Sequence, residues 1–254
     1  MLTDTHIHLY ADQFDSDRSR LVDEAFAAGV TRFFLPNIDL ESIDPMLDLE
    51  VKYPGHCFPM MGLHPCYVKE DWETQLSVIE SWWERRTFCA IGEIGIDLYW
   101  DKTHLAEQQE AFRRQIRLAN KYRKPVVIHC RESFDEIIAV LDECPKDGPQ
   151  GIFHCFTGNI DQAKEVIRRR FLLGIGGVVT FKKSGLDAVV KEIPLEHMVL
   201  ETDAPYLAPT PHRGKRNIPS YLRLIAEQVE AIKGIPLEEV ARITTDNSLR
   251  VFGC

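Results

Sequence analysis

The sequence predicts a (β/α)8 barrel, the TIM-barrel class, on three observations. Short apolar runs alternate with amphipathic stretches, several runs are apolar throughout, and metal-binding side chains gather where the runs end. The 254 residues suit a barrel, which typically takes roughly 250 and buries a full core. The runs recur about every 25–30 residues, as repeated β-α units do.

The candidate strands are residues 1–6, 31–35, 56–61, 88–91, 125–129, 151–154, 171–175 and 197–201. Continuous runs such as Val126-Val127-Ile128 suit parallel strands covered on both faces. Gly29 directly follows the first helical pattern, where a left-handed stop is expected. After His104, the residues Leu105, Phe112, Ile116 and Ala119 share one helical face, and Leu222, Ile225, Val229 and Ile232 do so near the end. Gly174, Gly176 and Gly177 do not match a dinucleotide fingerprint and read as close packing or backbone approach in the seventh strand. With no linker or low-complexity tract, residues 1–254 are expected to form a single barrel domain. An open doubly wound sheet is the alternative, but a barrel collects reactive residues scattered along the whole chain at one rim.

Composition narrows the function. A net charge of -9 disfavours wrapping a long nucleic acid, yet leaves room for a strand end entering a metal-lined pocket. The most apolar stretch, residues 171–179, is far short of the roughly 20 residues that span a bilayer. No signal peptide is visible at the start. The 7 cysteines include no Cys-x-x-Cys pair, so reduced thiols in the cytoplasm are expected rather than a disulfide framework or a zinc ribbon. No obligate protein partner is evident.

The chemistry lies at the strand ends. His6 and His8 close the first strand, Glu93 follows the fourth, His129 and His154 end the fifth and sixth, and Asp203 follows the eighth. In a barrel these ends share one face. The His6-x-His8 spacing is that of a strand, which turns both imidazoles to one side. Taken singly, each residue has a plainer reading as a hydrogen-bonded core histidine or a helix cap. Their co-location at the rim is what such readings leave unaccounted for.

Four imidazoles and two carboxylates form a mixed set better suited to zinc, manganese, iron or nickel than to magnesium. Six donors exceed the need of one tetrahedral ion, so one or two divalent ions are expected, with Glu93 shared between them. Such ions lower the pKa of water and stabilise charge on an attacked phosphorus or carbonyl. Asp203 and Glu93 are therefore the candidate catalytic residues.

A second tier surrounds them. His64, in Gly62-Leu-His-Pro65, either binds substrate or orders a loop. Glu201, two residues before Asp203, is expected to orient a ligand. Arg131, Arg213 and Arg216 are candidates for holding phosphates. Tyr99 and Trp100 can stack a base, but an aromatic plug in the loop is the expected role. Cys130 and Cys155 adjoin ligand candidates, and strand alternation turns them away.

In order along the chain, Asp4-Thr-His6-Ile-His8, Gly62-Leu-His-Pro65, Gly92-Glu-Ile-Gly-Ile-Asp97, Pro125-Val-Val-Ile-His129, His154-Cys-Phe-Thr-Gly158, Glu201-Thr-Asp-Ala-Pro-Tyr-Leu207 and Arg216-Asn-Ile-Pro219 resemble the TatD family of metal-dependent deoxyribonucleases. The match spans nearly the whole chain. The resemblance implies ligand roles for His6, His8, Glu93, His129, His154 and Asp203, with Glu93 shared between ions and Asp203 near the catalytic water. It also implies a phosphodiesterase acting on DNA or a short nucleic-acid end, often from the 3′ side. The alternative is an amidohydrolase-type deaminase, lactonase or esterase, some of which carry a carbamylated lysine where this chain has Glu93. A metal-binding or partner-binding protein without catalysis is the third reading, and no expected ligand is missing to favour it.

Overall fold

A computed structural model describes residues 1–100, 102–145 and 148–254. Eight strands, β1 (Leu2–Asp4), β2 (Val30–Pro36), β3 (Cys57–Met60), β4 (Ile91–Asp97), β5 (Val126–Arg131), β6 (Gly151–Phe153), β7 (Phe171–Ile175) and β8 (Met198–Leu200), alternate with helices. The helices are α1 (Arg18–Ala27), α2 (Ile43–Lys52), α3 (Trp72–Arg85), α4 (Leu105–Tyr122), α5 (Phe134–Asp142), α6 (Ile160–Arg168), α7 (Leu186–Glu192), α8 (Leu222–Lys233) and α9 (Leu237–Phe252). No helix among the described residues is long and apolar enough to cross a membrane.

Every strand pair is parallel, in two arcs ordered β1-β2-β3 and β4-β5-β6-β7-β8. Backbone hydrogen bonds outside regular ladders join the arcs. Met61 N–H donates to the Ala90 carbonyl (3.1 Å) and Cys89 N–H to that of Pro59 (3.2 Å). At the other seam Thr5 N–H donates to Leu200 (3.0 Å) and Asp203 N–H to His6 (2.9 Å). The Asp4 carboxylate adds to this seam by accepting from the Thr202 N–H (3.0 Å) and hydroxyl (2.6 Å). The ring of eight strands is thereby closed.

Alternation sorts the side chains. Inward residues Phe34, Met60, Ala90, Val127, Ile152, Leu172 and Val199 form one buried layer inside the ring, as barrel interiors do. Phe252, at the end of α9, caps that layer and stacks on Phe34 with ring centroids 4.0 Å apart. Two residues further along the same faces stand His129 after Val127, His154 after Ile152 and Glu201 after Val199. A period of two thus places an apolar floor directly beneath a polar rim. Between the strands and the helices, residues such as Phe112 and Ile116 of α4 and Ile225 and Val229 of α8 make the second core, on the faces that the periodicity predicts. Gly29 ends the first helical segment at φ +85°.

The fourth strand is the largest difference from expectation. Its apolar run ends at Ile91, but the strand runs on to Asp97, so Glu93 lies within it rather than after it. Gly95 faces the backbone of His129 so closely that an added methyl would collide with its carbonyl. At β1 the difference is opposite: the strand ends at Asp4, and His6 and His8 follow it. Backbone bonds of Ile7 to Phe34 (3.1 Å) and of His8 to Ala204 (2.9 Å) hold them over the rim.

Candidate metal centre

Glu93 is buried at the centre of the rim. One carboxylate oxygen faces His6 Nε2 (3.1 Å) and His8 Nε2 (3.7 Å). The other faces His129 Nδ1 (2.9 Å), His154 Nε2 (3.1 Å) and His64 Nε2 (3.3 Å). Asp203 closes the first side, 3.4 Å from His8 Nε2 and 3.8 Å from His6 Nε2. The six predicted donors therefore converge, and together with His64 they fall into overlapping groups with ligand atoms within 4.8 Å of one another: His6, His8 and Asp203; His6, Glu93 and His154; His64, Glu93 and His129.

The far nitrogens are mostly held as well. His8 Nδ1 lies 2.9 Å from the Tyr10 hydroxyl, which itself donates to the Pro36 carbonyl (2.6 Å), so the hydroxyl accepts from the His8 N–H. His129 Nε2 donates to Asp97 (2.8 Å), leaving Nδ1 facing Glu93. His154 Nδ1 lies 3.3 Å from Glu201, whose carboxylate also accepts the Cys155 N–H. The Tyr10 and Asp97 acceptors fix which nitrogen of His8 and His129 is presented to an ion and raise its basicity, and Glu201 stands beside His154 as a charge partner without a formed hydrogen bond. Glu201 has this place because Gly174 opposite leaves room that a methyl would fill. His6 stacks on His154 with ring centroids 3.7 Å apart.

His64 differs from the other imidazoles. Its Nδ1 accepts the Cys66 N–H (3.1 Å), so the neutral ring carries its proton on Nε2, which faces Glu93 and His129. A ring in that tautomer is a hydrogen-bond donor and a poor ligand.

The electrostatics match a site built for cations. Burial alone would raise the pKa of Glu93, but the imidazoles of His64, His154 and His6 overcome it and hold the carboxyl well below the usual value. Asp203 is likewise raised by burial and, more strongly, lowered by the His8 hydrogen bond and nearby imidazoles. Burial disfavours the charged form of His154, yet Glu93 and Glu201 lift it well above the ordinary histidine value. Burial lowers the pKa of His6 and His64. Three buried polar atoms here, His6 Nδ1, His154 Nδ1 and Glu201 Oε2, lack a good hydrogen bond. Clustered imidazoles and carboxylates with unmatched charge fit one or two divalent ions.

The outer residues separate. Arg131 is exposed beside Tyr99, and Arg213 lies over the Phe181 ring at 4.4 Å. Arg216 is engaged by Asp17, at 2.6 and 3.1 Å, and by the Gln13 carbonyl. Next to it the buried Asn217 donates to the carbonyls of Thr202 and Tyr206, each at 2.7 Å, which pins the loop after β8. A cleft of about 370 Å3 runs beside His154, between Glu132 and Ser133 on one side and Thr157 and Gly158 on the other.

Tyr10, Asp97 and Asn217 escaped the sequence reading. The signal for the first two was present: Tyr10 follows His8, and Asp97 follows Glu93 and Gly95, at the same period of two that marked the ligands.

The family model "TatD related DNase" matches residues 3–253. The chain is 39% identical over 253 residues to the uncharacterized metal-dependent hydrolase YabD of Bacillus subtilis, covering 99% of each. It is 33% identical over 256 residues to the 3′-5′ ssDNA/RNA exonuclease TatD of Dickeya dadantii, covering 98% of this chain and 97% of that protein. Among solved structures, the TatD homolog YJJV of Escherichia coli K12 superposes with a TM-score of 0.92 at 27% identity, over 100% of this chain and 98% of that one. With its donors converged and this likeness extending over its whole length, the chain belongs to the TatD family of metal-dependent hydrolases.

Proposed function

We propose that the protein hydrolyses phosphodiester bonds in single-stranded nucleic acid, working from the 3′ end, with one or two divalent ions of zinc, manganese or magnesium. The observation that carries this reading is Glu93, whose two oxygens face different sets of imidazoles. His6, His8 and Asp203 would hold one ion, His129 and His154 the other, with Glu93 between them. When bound, the ions supply Lewis acidity and lower the pKa of water.

The protein's own groups do the rest. Asp203 stays ionised through its imidazole neighbours and accepts a proton from the attacking water. His64 donates its Nε2–H to a phosphate oxygen. Glu201, Asp97 and Tyr10 keep His154, His129 and His8 oriented. Arg131 and Arg213 hold the chain, while Arg216, engaged by Asp17, braces the loop and shares its charge with a phosphate. Glu93 stands where some carbon-centred relatives carry a modified lysine, which favours phosphoryl chemistry over the amide or ester alternative. All 7 cysteines are free, in keeping with a cytoplasmic setting.

The test is chelation, followed by reloading with Mg, Mn or Zn and assay on 3′- and 5′-labelled single-stranded DNA and RNA, a minimal phosphodiester and small amides. Reloaded wild type should shorten oligonucleotides from the 3′ end, and Asp203→Asn should lose at least about a hundredfold in kcat while keeping its fold. Cleavage of amides with no phosphodiester turnover under any metal would move the assignment to the carbon-centred hydrolases.

A further inference from the structure

Tyr99 and Trp100 stand just beyond the end of β4 at the mouth of the barrel. The expected aromatic plug is absent: Tyr99 is 50% exposed and Trp100 70%. The two rings meet edge to face, 5.0 Å apart at 88°. The Arg131 guanidinium lies 3.8 Å from the centre of the Tyr99 ring and 5.3 Å from that of Trp100. Among the described residues no carboxylate pairs with Arg131, in contrast to Arg216. Two half- to largely exposed rings, beside a cation with no carboxylate partner among the described residues, form a polar-edged surface rather than a scattered apolar residue.

This surface is fixed to the metal centre. The N–H groups of Tyr99 (2.9 Å) and Trp100 (3.1 Å) both donate to one oxygen of Asp97. The other oxygen of Asp97 holds His129 at 2.8 Å. Arg131 lies two residues past His129 on the same face of β5, which sets its Cα about 7 Å further out. A substrate with one phosphodiester at the metal centre would bring the adjoining nucleotide over this loop.

We propose that Tyr99, Trp100 and Arg131 form a subsite that stacks the base of the nucleotide adjoining the phosphodiester at the metal centre. This rests on the nucleic-acid reading above and names the residues that give it preference for unpaired bases. A planar base fits the exposed ring faces, and the Arg131 charge meets the neighbouring phosphate. Stacking on a side chain requires a base already out of its duplex stack, so the subsite favours single strands. A small amide or ester has no second ring to place there.

The experiment uses the metal-loaded enzyme and a labelled oligodeoxynucleotide in which one abasic residue is moved stepwise from the 3′ end. In wild type, one abasic position should raise KM about 5- to 150-fold, the loss of one base–aromatic stack. Trp100→Ala should raise KM on the intact strand by a similar factor, become indifferent to the abasic position, and keep wild-type kcat. Tyr99→Ala should give a smaller shift in the same direction. Turnover of methyl p-nitrophenyl phosphate should be unchanged, and melting curves should match because the rings are exposed. Normal oligonucleotide cleavage, with a flat abasic series and a wild-type KM for Trp100→Ala, would overturn the subsite alone. Hydrolysis of the minimal diester with no action on any oligonucleotide would overturn the nucleic-acid reading and the subsite with it.

Discussion

Asp97 serves two neighbours at once, His129 through one oxygen and the Tyr99–Trp100 loop through the other. Burial raises its pKa, but the His129 hydrogen bond and the Trp100 and Tyr99 N–H groups prevail and bring it down to about 2. Asp97→Asn should therefore weaken metal binding about 10- to 100-fold, as loss of a ligand's hydrogen-bond partner does. Competition with a fluorescent chelator measures this, and unchanged affinity would make Asp97 a loop brace only. Because its folded pKa lies below the unfolded one, the carboxylate's stabilisation is present above pH ~4 and lost as pH falls toward about 2. The Tm gap between wild type and Asp97→Asn in metal-free protein should be open at neutral pH and narrow through that acid range. At this scale the sequence is legible where residue type carries the chemistry. The six ligand candidates were readable because few other roles put histidines at so many strand ends. Of the groups behind them, Glu201 was read from its place two residues before Asp203, whereas Tyr10 and Asp97 were not, since a Tyr or Asp at that spacing has many ordinary uses and only the fold shows what it faces.

Glycine decides the shape of two strands. In β4, Gly95 lets the strand lie against His129, and the apolar run ended at Ile91 because Gly92, Glu93 and Gly95 break its apolar character while the strand continues. In β7, Gly174 leaves the space that Glu201 fills, whereas an added methyl at Gly176 would come no closer to Glu201 than 3.6 Å, an ordinary contact. Gly174→Ala should cost about 1–3 kcal/mol, as overpacking does, and displace the carboxylate behind His154. Its Tm and its affinity for metal should both drop, and Gly176→Ala should stay near wild type in both. Equal behaviour of the two variants in a melting series with and without metal would refute the assigned fit. The close approach in strand seven was readable from the glycine run, but its beneficiary was not, because Glu201 arrives from a neighbouring strand.

At the scale of the whole molecule, alternation and spacing were enough to read eight strands, helical segments between them and a common rim. The extra α9 and its Phe252 cap were not read, because a helix that covers the floor has the same amphipathic pattern as one that covers the wall. The two seams of the ring were equally hidden, since hydrogen bonds outside a regular ladder leave no periodic trace. Their placement divides the site: His6, His8 and His64 belong to the β1–β3 arc, and Glu93, His129, His154 and Asp203 to or beside the β4–β8 arc. Any ion held by His6 together with Glu93 or Asp203 bridges the division. The rim then works as the clasp of a hoop, and loading it tightens both joins against local opening. Hydrogen–deuterium exchange should show the amides of Thr5, Met61, Cys89 and Asp203 slowing on metal addition more than amides in the middle of β5 or β6. Uniform slowing throughout the barrel would leave the joins no weaker than the staves, and a protein built in that way would gain from its metal only chemistry, without the mechanical closure that this division of ligands provides.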